Sequence, residues 1–363
     1  MKILIMTEEF AGNGHHKAAE SLLKTMKKID PRHEVKIVHL LKIINQTLEQ
    51  WIQKIYLFII LKKPRIWGWI YKKEGNFSLL FKPFIAYAML GKLDRFLKEE
   101  NPDLIIATHA SGLTALAKLK KRNHYKLAAV FTDYHLNSFW IHPEIDYYFV
   151  GHEELKNRLV KKYQMEPERV IISGIPIDPS FSCLKQDPLT QENANFRILV
   201  MGGGLGIGSM KEIVQSLQKI KNVPFSVYVI TGRNQKLYDE LTQLASSINY
   251  SLEVLPYIED ICPIMMKSHL IITKPGGLTI SEALSTSTPI FIYQPIPGQE
   301  EYNARFLIKN RSAIRIHNLD HIVYWVEYLY HHPRIYQKFI QHQKKIAKPD
   351  SSYVIIENLL NRL

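Results

Sequence analysis

The stretch ILVMGGGLGIGS, residues 198–209, joins a short apolar run to a turn that contains five glycines. The apolar run predicts a buried strand, and a helical pattern follows the turn. A strand that runs into a glycine-rich turn and then a helix is the opening unit of a Rossmann-like domain. The same order recurs at the start of the chain, where the run 3–6 precedes the turn GNGHH, residues 12–16. Two such openings predict two α/β domains.

Short apolar runs alternate with amphipathic helical patterns through both halves of the chain, which predicts parallel sheets. The predicted strands of the first half are Ile3–Met6, Val35–His39, Leu104–Thr108, Leu127–Thr132, Tyr147–Val150 and Val170–Ser173. Those of the second half are Ile198–Met201, Ser226–Thr231, Leu252–Leu255, Leu270–Thr273, Pro289–Tyr293 and Ala313–Ile316. The pattern therefore predicts two Rossmann-like domains that face a central cleft.

The domain boundaries follow from where the periodicity stops. The N-terminal domain is predicted over residues 1–182, and a linker rich in proline and polar residues over 183–195. The C-terminal domain is predicted over 196–340. The last helical segment, 341–363, either packs on the second domain or crosses back to the first.

Composition narrows the possible partners. The 363 residues carry a formal net charge of +13, which indicates an anionic partner: nucleic acid, an acidic membrane surface or a phosphorylated ligand. No recognised nucleic-acid-binding module is visible, so we expect no nucleic acid. Cys183 and Cys262 lack disulfide or zinc-site spacing, which predicts free thiols in a reducing compartment. The N-terminus lacks a signal-peptide core and the apolar run 55–61 is too short to span a bilayer, so the predicted location is cytoplasmic and peripheral to the membrane.

Residues 41–90 interrupt the strand–helix alternation. This insertion holds eight Lys or Arg against two acids, and ten aromatic residues. Aromatic rings suit the headgroup level of a membrane and cations suit anionic lipid, so we interpret the segment as a membrane contact. The alternative is an ordinary helical insertion with a packed aromatic side and solvated lysines. The predicted membrane-contact residues are Trp51, Lys62, Lys63, Arg65, Trp67, Trp69, Lys72 and Lys73.

The first glycine turn contains a candidate catalytic base, His15. An imidazole in a ligand-binding turn can accept a proton from a hydroxyl group near neutral pH. The alternative is a histidine that only bonds to the backbone at the start of the helix. The turn is neither a dinucleotide fingerprint, because Lys17 replaces the third glycine, nor a P-loop, because no G-K-[ST] follows.

Three elements of the second half suit a nucleotide. Amides of the second glycine turn can cradle a diphosphate, and Arg233 after a strand can reach a phosphate. Glu282, early in a helix that follows a strand, can bind ribose hydroxyls, although it also suits the helix dipole. The loop QPIPGQEEYN, 294–303, offers amides and acids that recognise sugars, although it also reads as a solvated helix start. Arg233 is equally compatible with a simple surface arginine.

Asp133 closes a predicted strand in the segment TDYH, 132–135. At this position Asp133 could orient His15 or bind a second substrate. The alternative is that it only caps the next segment.

Eight segments together resemble one family, in family order and across both domains. They are GNGHHKAA (12–19), TDYHLNSFW (132–140), HPEIDYYFVG (142–151), GIPIDPSF (174–181), MGGGLGIGS (201–209), ITGRN (230–234), KPGGLTISEAL (274–284) and PIPGQEEYNA (295–304). The sequence resembles the monogalactosyldiacylglycerol synthase and processive diacylglycerol glucosyltransferase family.

The resemblance implies a GT-B fold, an inverting mechanism, UDP-glucose or UDP-galactose as donor, and diacylglycerol or a glycosyl-diacylglycerol as acceptor on an anionic membrane surface. It implies His15 as the catalytic base. The implied donor-binding residues are Gly203, Gly204, Leu205, Gly206, Arg233, Gly276, Gly277, Thr279, Glu282, Gln299, Glu300 and Asn303. The acceptor side is predicted at Gly14, Asp133, Tyr134 and Trp140. No D-x-D motif stands near a strand end, so we predict no metal site, no metal requirement and no cofactor beyond the nucleotide sugar.

Three alternatives share these motifs: a transferase with a soluble or polyprenyl-linked acceptor, a nucleotide-sugar-binding protein without turnover, and a nucleotide-sugar epimerase. The motifs leave the hexose and the oligomeric state open.

Overall fold

The structure, a computed structural model, describes residues 1–9, 13–72, 87, 89–182 and 195–362. Within these ranges, six side chains are outside the description: Gln46, Leu48, Leu61, Ile70, Tyr71 and Lys72. The chain forms two compact units, of which the first comprises Met1–Pro179, Ile296–Gln299 and Asp350–Leu363. The second comprises Ser180–Pro295 and Glu300–Pro349.

Each unit is built on one six-stranded sheet in which every paired strand is parallel. The strands are β1 (Lys2–Thr7), β2 (Glu34–His39), β3 (Leu104–Ala107), β4 (Lys126–Val130), β5 (Tyr147–Val150), β6 (Val170–Ile172), β7 (Phe196–Met201), β8 (Phe225–Ile230), β9 (Ser251–Leu255), β10 (Leu270–Thr273), β11 (Ile290–Tyr293) and β12 (Ala313–Ile316).

Helices connect the strands. They are α1 (Gly14–Ile29), α2 (Leu40–Lys62), α3 (Pro64–Lys72), α4 (89–100), α5 (Leu113–Lys120), α6 (Glu153–Tyr163), α7 (Met210–Leu217), α8 (Gln235–Ala245), α9 (Cys262–Lys267), α10 (Gly277–Ser285), α11 (Gln299–Lys309), α12 (Leu319–His331), α13 (Pro333–Ile346) and α14 (Ser351–Leu360). Within α2, Asn45 has an extended backbone that interrupts the helix, and its side chain accepts a hydrogen bond from the Thr47 amide.

The first sheet has the strand order β2-β1-β3-β4-β5-β6 and is covered on both faces. Alternate residues of β1 point to opposite sides, so that Ile3 and Ile5 lie in one core while Leu4 and Met6 lie in the other. The first core is closed by α1 and α14, and the second by α4, α5, α6 and the start of α2. This double covering explains why the strands are continuous apolar runs.

The C-terminal helix α14 belongs to the first unit. The Ser352 hydroxyl donates to the Ile177 carbonyl over 2.6 Å, and the helix buries Ile355, Ile356 and Leu359 against the core that α1 also covers. The predicted boundary at residue 341 lies within α13, which stays with the second unit. There the buried Gln343 donates to two carbonyls, those of Thr288 and Ser312. The chain returns to the first unit at Asp350.

The second sheet has the order β12-β11-β10-β7-β8-β9. Counted from β7, this is the strand order of the dinucleotide-binding Rossmann fold. The core packs β7, β8 and β10 against α7, α12 and α13. Of the predicted linker 183–195, only Asn195 lies in the described part of the chain.

Two loops of the second unit pack closely at the carboxyl ends of β7 and β8. The Arg233 amide donates to the Gly204 carbonyl over 3.0 Å, and the Asn234 side chain donates to the Gly206 carbonyl over 3.1 Å. A side chain at Gly206 would overlap the Thr231 carbonyl oxygen, and one at Gly232 would come within 2.6 Å of the Gly204 carbonyl oxygen. Glycine is therefore required at both positions for the loops to approach each other.

A buried carboxyl group holds the start of α2. Glu8 follows β1, is fully buried, and accepts hydrogen bonds from the Leu41 amide at 3.1 Å and the Ser111 hydroxyl at 3.2 Å through one oxygen. Its second oxygen has no hydrogen-bond partner in the described ranges. Burial raises the pKa of Glu8 to about 8, so the group is protonated at neutral pH.

Replacing Glu8 by Gln should remove a pH dependence of stability. Between its unfolded pKa near 4.5 and its folded pKa of about 8, Glu8 is ionised in the unfolded chain but protonated in the folded one. The wild-type protein therefore loses stability as the pH rises through this window, by an amount on the order of a few kcal/mol. Glu8→Gln keeps a hydrogen-bond acceptor and stays neutral at every pH. In urea unfolding at several pH values, its free energy of unfolding relative to the wild type should therefore increase toward alkaline pH. The exposed Glu99→Gln is the control, and equal pH dependence of the two variants would contradict the assignment.

The two glycines of the second turn should respond differently to alanine. Gly203 has φ +71° with open space around its Cβ position, whereas Gly206 has φ +58° and faces the Thr231 carbonyl. We expect Gly203→Ala to cost about 1–2 kcal/mol from backbone strain alone. Gly206→Ala adds a clash with backbone and should lower the unfolding temperature clearly further. Equal unfolding temperatures for the two variants would show that the loops are not in contact.

Candidate active site

Each sheet contains one point where the direction of strand connection reverses. In the first sheet this switch lies between β1 and β3, and in the second between β7 and β10. Ligands of open α/β sheets bind outside the carboxyl ends of the strands at such points. Residues 13–16 of the first glycine turn lie beyond β1, and the second turn follows β7, so both stand at a switch point. Gly12 of the first turn lies outside the described residues.

His15 is fixed at the switch point of the first unit. Its Nδ1 lies 3.0 Å from the Thr108 carbonyl oxygen, just beyond β3, and 2.8 Å from the Thr132 hydroxyl, beyond β4. A carbonyl oxygen only accepts hydrogen bonds, so Nδ1 carries the proton and donates it. The Thr108 hydroxyl in turn donates to the His15 carbonyl over 3.1 Å.

This tautomer leaves Nε2 of His15 as an unprotonated acceptor. Among the described residues, no hydrogen-bond partner of Nε2 is present. Burial lowers the pKa of His15 to about 4, and the hydrogen bond to Thr108 only partly opposes it, so the ring is neutral at pH 7. The ring of His109 stands edge-on at 4.5 Å, and burial followed by the neighbouring His15 holds the pKa of His109 well below its usual range. A neutral imidazole with one fixed nitrogen and one open nitrogen can act as a general base.

The predicted acceptor-side residues fall into two groups. Gly14 is exposed at the start of α1 and Asp133 is half-buried just beyond β4, in the same region as His15. Tyr134 and Trp140 are buried. Trp140 stacks on Phe131 with ring centroids 4.6 Å apart, so it is a core residue.

In the second unit, the loop 202–208 lies at the switch point between β7 and β10. Gly203 and Gly206 have positive φ, and the Gly206 amide donates to the Gly203 carbonyl over 3.0 Å, which closes the turn before α7. Arg233 is exposed, and its guanidinium lies 5.2 Å from the Tyr257 ring, a cation–π contact that leaves its donors accessible.

Helix α10 follows β10, the strand that pairs with β7 at the same switch point. Gly276 is its N-cap residue and the buried Gly277 its first residue. Thr279 and Glu282 lie on the first two turns and are half-buried. These residues and the loop 202–208 therefore occupy one edge of the sheet, as the sequence motifs predict.

Helix α11 carries the remaining predicted residues. Gln299 and Glu300 are half-buried in its first turn. Asn303 is fully buried, and its amide donates to the Pro275 carbonyl over 3.0 Å, which ties α11 to the loop before α10. Glu301 forms a two-point salt bridge with Arg315, both contacts at 2.8 Å.

The sequence analysis overlooked Lys274, which directly follows β10. Its Cε lies 3.2 Å from the position a Cβ would take at Gly208, so the side chain runs beneath the glycine loop. Burial lowers the pKa of Lys274, and the nearby Glu300 carboxylate partly opposes this shift. A desolvated cation beside a glycine loop is a candidate phosphate ligand. Its position directly after a strand and before two glycines was the available signal.

The helices α2 and α3 expose an apolar surface. Trp51, Ile55 and Phe58 are 60 %, 55 % and 60 % exposed, and their spacing of four and three residues places them on one side of α2. Ile66 and Trp69 of α3 are about half exposed as well. Large exposed apolar side chains in such a stripe mark an interaction surface.

Exposed cations accompany this apolar surface, whereas one predicted membrane-contact residue, Trp67, packs within the protein. Lys62, Lys63 and Arg65 are exposed. Trp67 is half-buried and packs edge-on against Tyr56, with ring centroids 5.2 Å apart, which joins α3 to α2. The side chain of Lys72 and the whole of Lys73 lie outside the described residues. No helix in the described ranges has the length and apolar character needed to cross a membrane.

Two family models match the chain, one in each half. The model of monogalactosyldiacylglycerol synthase matches residues 15–177, and that of the glycosyltransferase family 28 C-terminal domain matches residues 197–327. The first range begins at His15 and includes β3, and the second includes the loop 202–208 and β10.

Solved structures with the same fold cover the whole chain at low sequence identity. MurG from Acinetobacter baumannii matches with a TM-score of 0.66 at 14 % identity, covering all of both chains. A UDP-GlcNAc 2-epimerase from Neisseria meningitidis, bound to UDP-GlcNAc, matches with a TM-score of 0.62 at 17 % identity and covers 99 % of this chain and all of its own. The fold is therefore GT-B, as predicted.

Curated relatives extend over nearly the full length. A processive diacylglycerol β-glucosyltransferase of Bacillus subtilis (strain 168) is 29 % identical over 99 % of this chain and 94 % of its own. One of Bacillus cereus (strain G9842) is 30 % identical over 87 % of this chain and 82 % of its own. The chain therefore belongs to the processive diacylglycerol β-glucosyltransferase family of glycosyltransferases.

Proposed function

We propose that this glycosyltransferase moves a hexose from UDP-glucose or UDP-galactose to diacylglycerol or a glycosyl-diacylglycerol, with inversion at the anomeric carbon. The observation that carries the proposal is the state of His15, a neutral ring whose Nδ1 donates to Thr108 and whose Nε2 is left to accept a proton. The names of the curated relatives support the lipid acceptor.

In this mechanism His15 acts as general base. Its Nε2 takes the proton of the acceptor hydroxyl while the hydroxyl oxygen forms a bond to the anomeric carbon. The bond from that carbon to the diphosphate oxygen breaks, and UDP leaves with the bonding electron pair. The Thr108 carbonyl fixes the tautomer that this step needs, and the Thr132 hydroxyl lies within hydrogen-bond distance of the same nitrogen. The products are the glycosylated lipid, UDP and a proton on His15 that returns to solvent.

The departing diphosphate is held by the second unit. The glycine loop 202–208 and the N-terminus of α7 meet the growing negative charge. Lys274 beneath the loop and the exposed Arg233 supply the countercharge. Since these groups belong to the chain itself, we propose no metal at the diphosphate and no cofactor.

The rest of the donor is assigned to α10 and α11. Glu282 binds the ribose hydroxyls, and Gln299 and Glu300 bind the hexose hydroxyls. Asn303 is a positioning residue, because its side chain is fully buried and bonded to the Pro275 carbonyl. Gly276, Gly277 and Thr279 form the start of the helix on which Glu282 stands.

The apolar surface of α2 and α3 is the proposed membrane contact. Trp51, Phe58 and Trp69 would enter the headgroup region, and exposed cations at Lys62, Lys63 and Arg65 would face anionic lipid. The protein would then act peripherally, on the cytoplasmic side where UDP-sugars are available.

The decisive experiment measures UDP release from a panel of UDP-sugars with and without diacylglycerol in anionic vesicles. We expect one or two hexose donors to give release that depends on diacylglycerol, together with a glycosylated lipid product. His15→Ala should lower this turnover by roughly 10²- to 10⁴-fold, the contribution of a general base, while donor binding stays unchanged. The exposed His124→Ala is the control and should retain turnover.

The pH profile tests the low pKa assigned to His15. With a folded-state pKa of about 4, His15 stays unprotonated well below neutral pH, so kcat/KM should not fall through the usual histidine range near 6.5 as the pH is lowered. A loss of kcat/KM centred near 6.5 would contradict the assignment. Release with soluble acceptors only, or from no donor at all, would overturn the proposed function.

Two tryptophans of α3 distinguish membrane contact from packing. Trp69→Ala removes a half-exposed ring and should weaken partition into anionic vesicles by about tenfold. Trp67→Ala removes the ring that packs on Tyr56 and should lower the unfolding temperature instead. Tyr324→Ala, which removes an exposed ring of the second unit, is the control for partition. Equal vesicle binding by Trp69→Ala and wild type would exclude this surface.

A further inference from the structure

A second histidine cluster lies at the carboxyl ends of β1 and β2 and takes no part in the proposed reaction. It comprises Glu9 after β1, His16 in the first turn of α1 and His39 at the end of β2. One ligand atom from each residue lies within 4.8 Å of the others. All three side chains are half-buried, so the cluster is neither a core contact nor a solvated surface patch.

The separations in the cluster are too long for hydrogen bonds. Glu9 Oε1 lies 3.6 Å from His16 Nε2 and 3.8 Å from His39 Nε2, whereas N–H···O hydrogen bonds span roughly 2.7–3.2 Å. Two ligands of one tetrahedral ion stand about 3.4 Å apart, given metal–ligand bonds of roughly 2.0–2.2 Å. The two carboxylate–imidazole gaps are therefore close to those of ligands that share an ion.

The histidine rings have few other polar contacts. Nδ1 of His16 and Nδ1 of His39 are buried without a hydrogen-bond partner among the residues that the structure describes. The rings lie side by side with centroids 5.0 Å apart. Glu9 Oε1 is the carboxylate oxygen near both Nε2 atoms, and Glu20 Oε1 lies 3.3 Å from Nε2 of His16.

We propose that Glu9, His16 and His39 form a binding site for a divalent metal ion of the zinc type. Two imidazoles and one carboxylate are borderline donors that favour Zn²⁺, Co²⁺ or Ni²⁺ over Mg²⁺. The ion draws the two imidazole nitrogens together and leaves a coordination position for water. It ties the first turn of α1 to the ends of β1 and β2, and it lies beside the candidate base without including it.

Lys42 pairs with Glu9 in the structure and would compete with a bound cation. Its ammonium lies 3.4 Å from Glu9 Oε2, and its side chain is 44 % exposed, so it can move into solvent when a cation binds. Removing its charge with Lys42→Met should strengthen metal binding.

Calorimetry with the full chain and Zn²⁺ tests the site. We expect one strong site in the wild type, no comparable binding of Mg²⁺, and a rise of the unfolding temperature with Zn²⁺. His16→Ala and His39→Ala should each weaken the strong site by tenfold or more, since removing even an outer-shell partner costs about 10- to 100-fold. The exposed His124→Ala should bind as the wild type does.

A second readout guards against unfolded variants. Co²⁺ bound to the wild type should give the visible absorption of a low-coordinate site, and the folded Glu9→Gln variant should lose it. The proposal fails if the wild type binds no Zn²⁺ at micromolar concentrations. It fails equally if His16→Ala and His39→Ala, shown to be folded by circular dichroism, bind Zn²⁺ as tightly as His124→Ala does.

Discussion

The pairing of β1 with β2 on one side and β3 on the other is the constraint on which the first unit depends. The register sets Thr7 opposite His39 and Met6 opposite Ala107, so all three strands end at one level. Every residue that directly follows these strands is therefore brought to the same edge of the sheet. The hydrogen bond from His15 to the Thr108 carbonyl can form only because β1 and β3 are neighbours that end together.

The sequence was sufficient to predict the strands and the turns that follow them. Buried parallel strands have apolar side chains on both faces, as in the run 3–6, so they differ from amphipathic helices in pattern. Glycine turns are visible because close backbone approach, such as that of Gly206 to Thr231, excludes a side chain. The strand order then determines where most of the proposed site residues lie, because each motif directly follows a strand whose place in the sheet is known.

Other features depend on tertiary contacts that no local pattern records. Trp140 stands in a segment that resembles the family, yet it stacks on Phe131 in the core. Lys274 lies beside the glycine loop at Gly208, which is 66 residues earlier in the sequence. Its pKa is lowered by burial in the fold, which a local sequence pattern does not record. The return of α14 to the first unit likewise depends on contacts with Ile177 and α1, which are distant in sequence.

His15 and His16 are neighbours in the first turn of α1, yet one is the proposed base and the other a proposed metal ligand. Consecutive residues of a helix point about 100° apart, so these neighbours face different strands. His15 turns toward the ends of β3 and β4, where the Thr108 carbonyl fixes its tautomer and no carboxylate favours its protonation. His16 turns toward the ends of β1 and β2, where Glu9 and His39 lie at distances that suit a shared ion. A base needs a free, neutral nitrogen and a metal site needs several ligands around one point, and the helix allows both because it keeps the two rings apart.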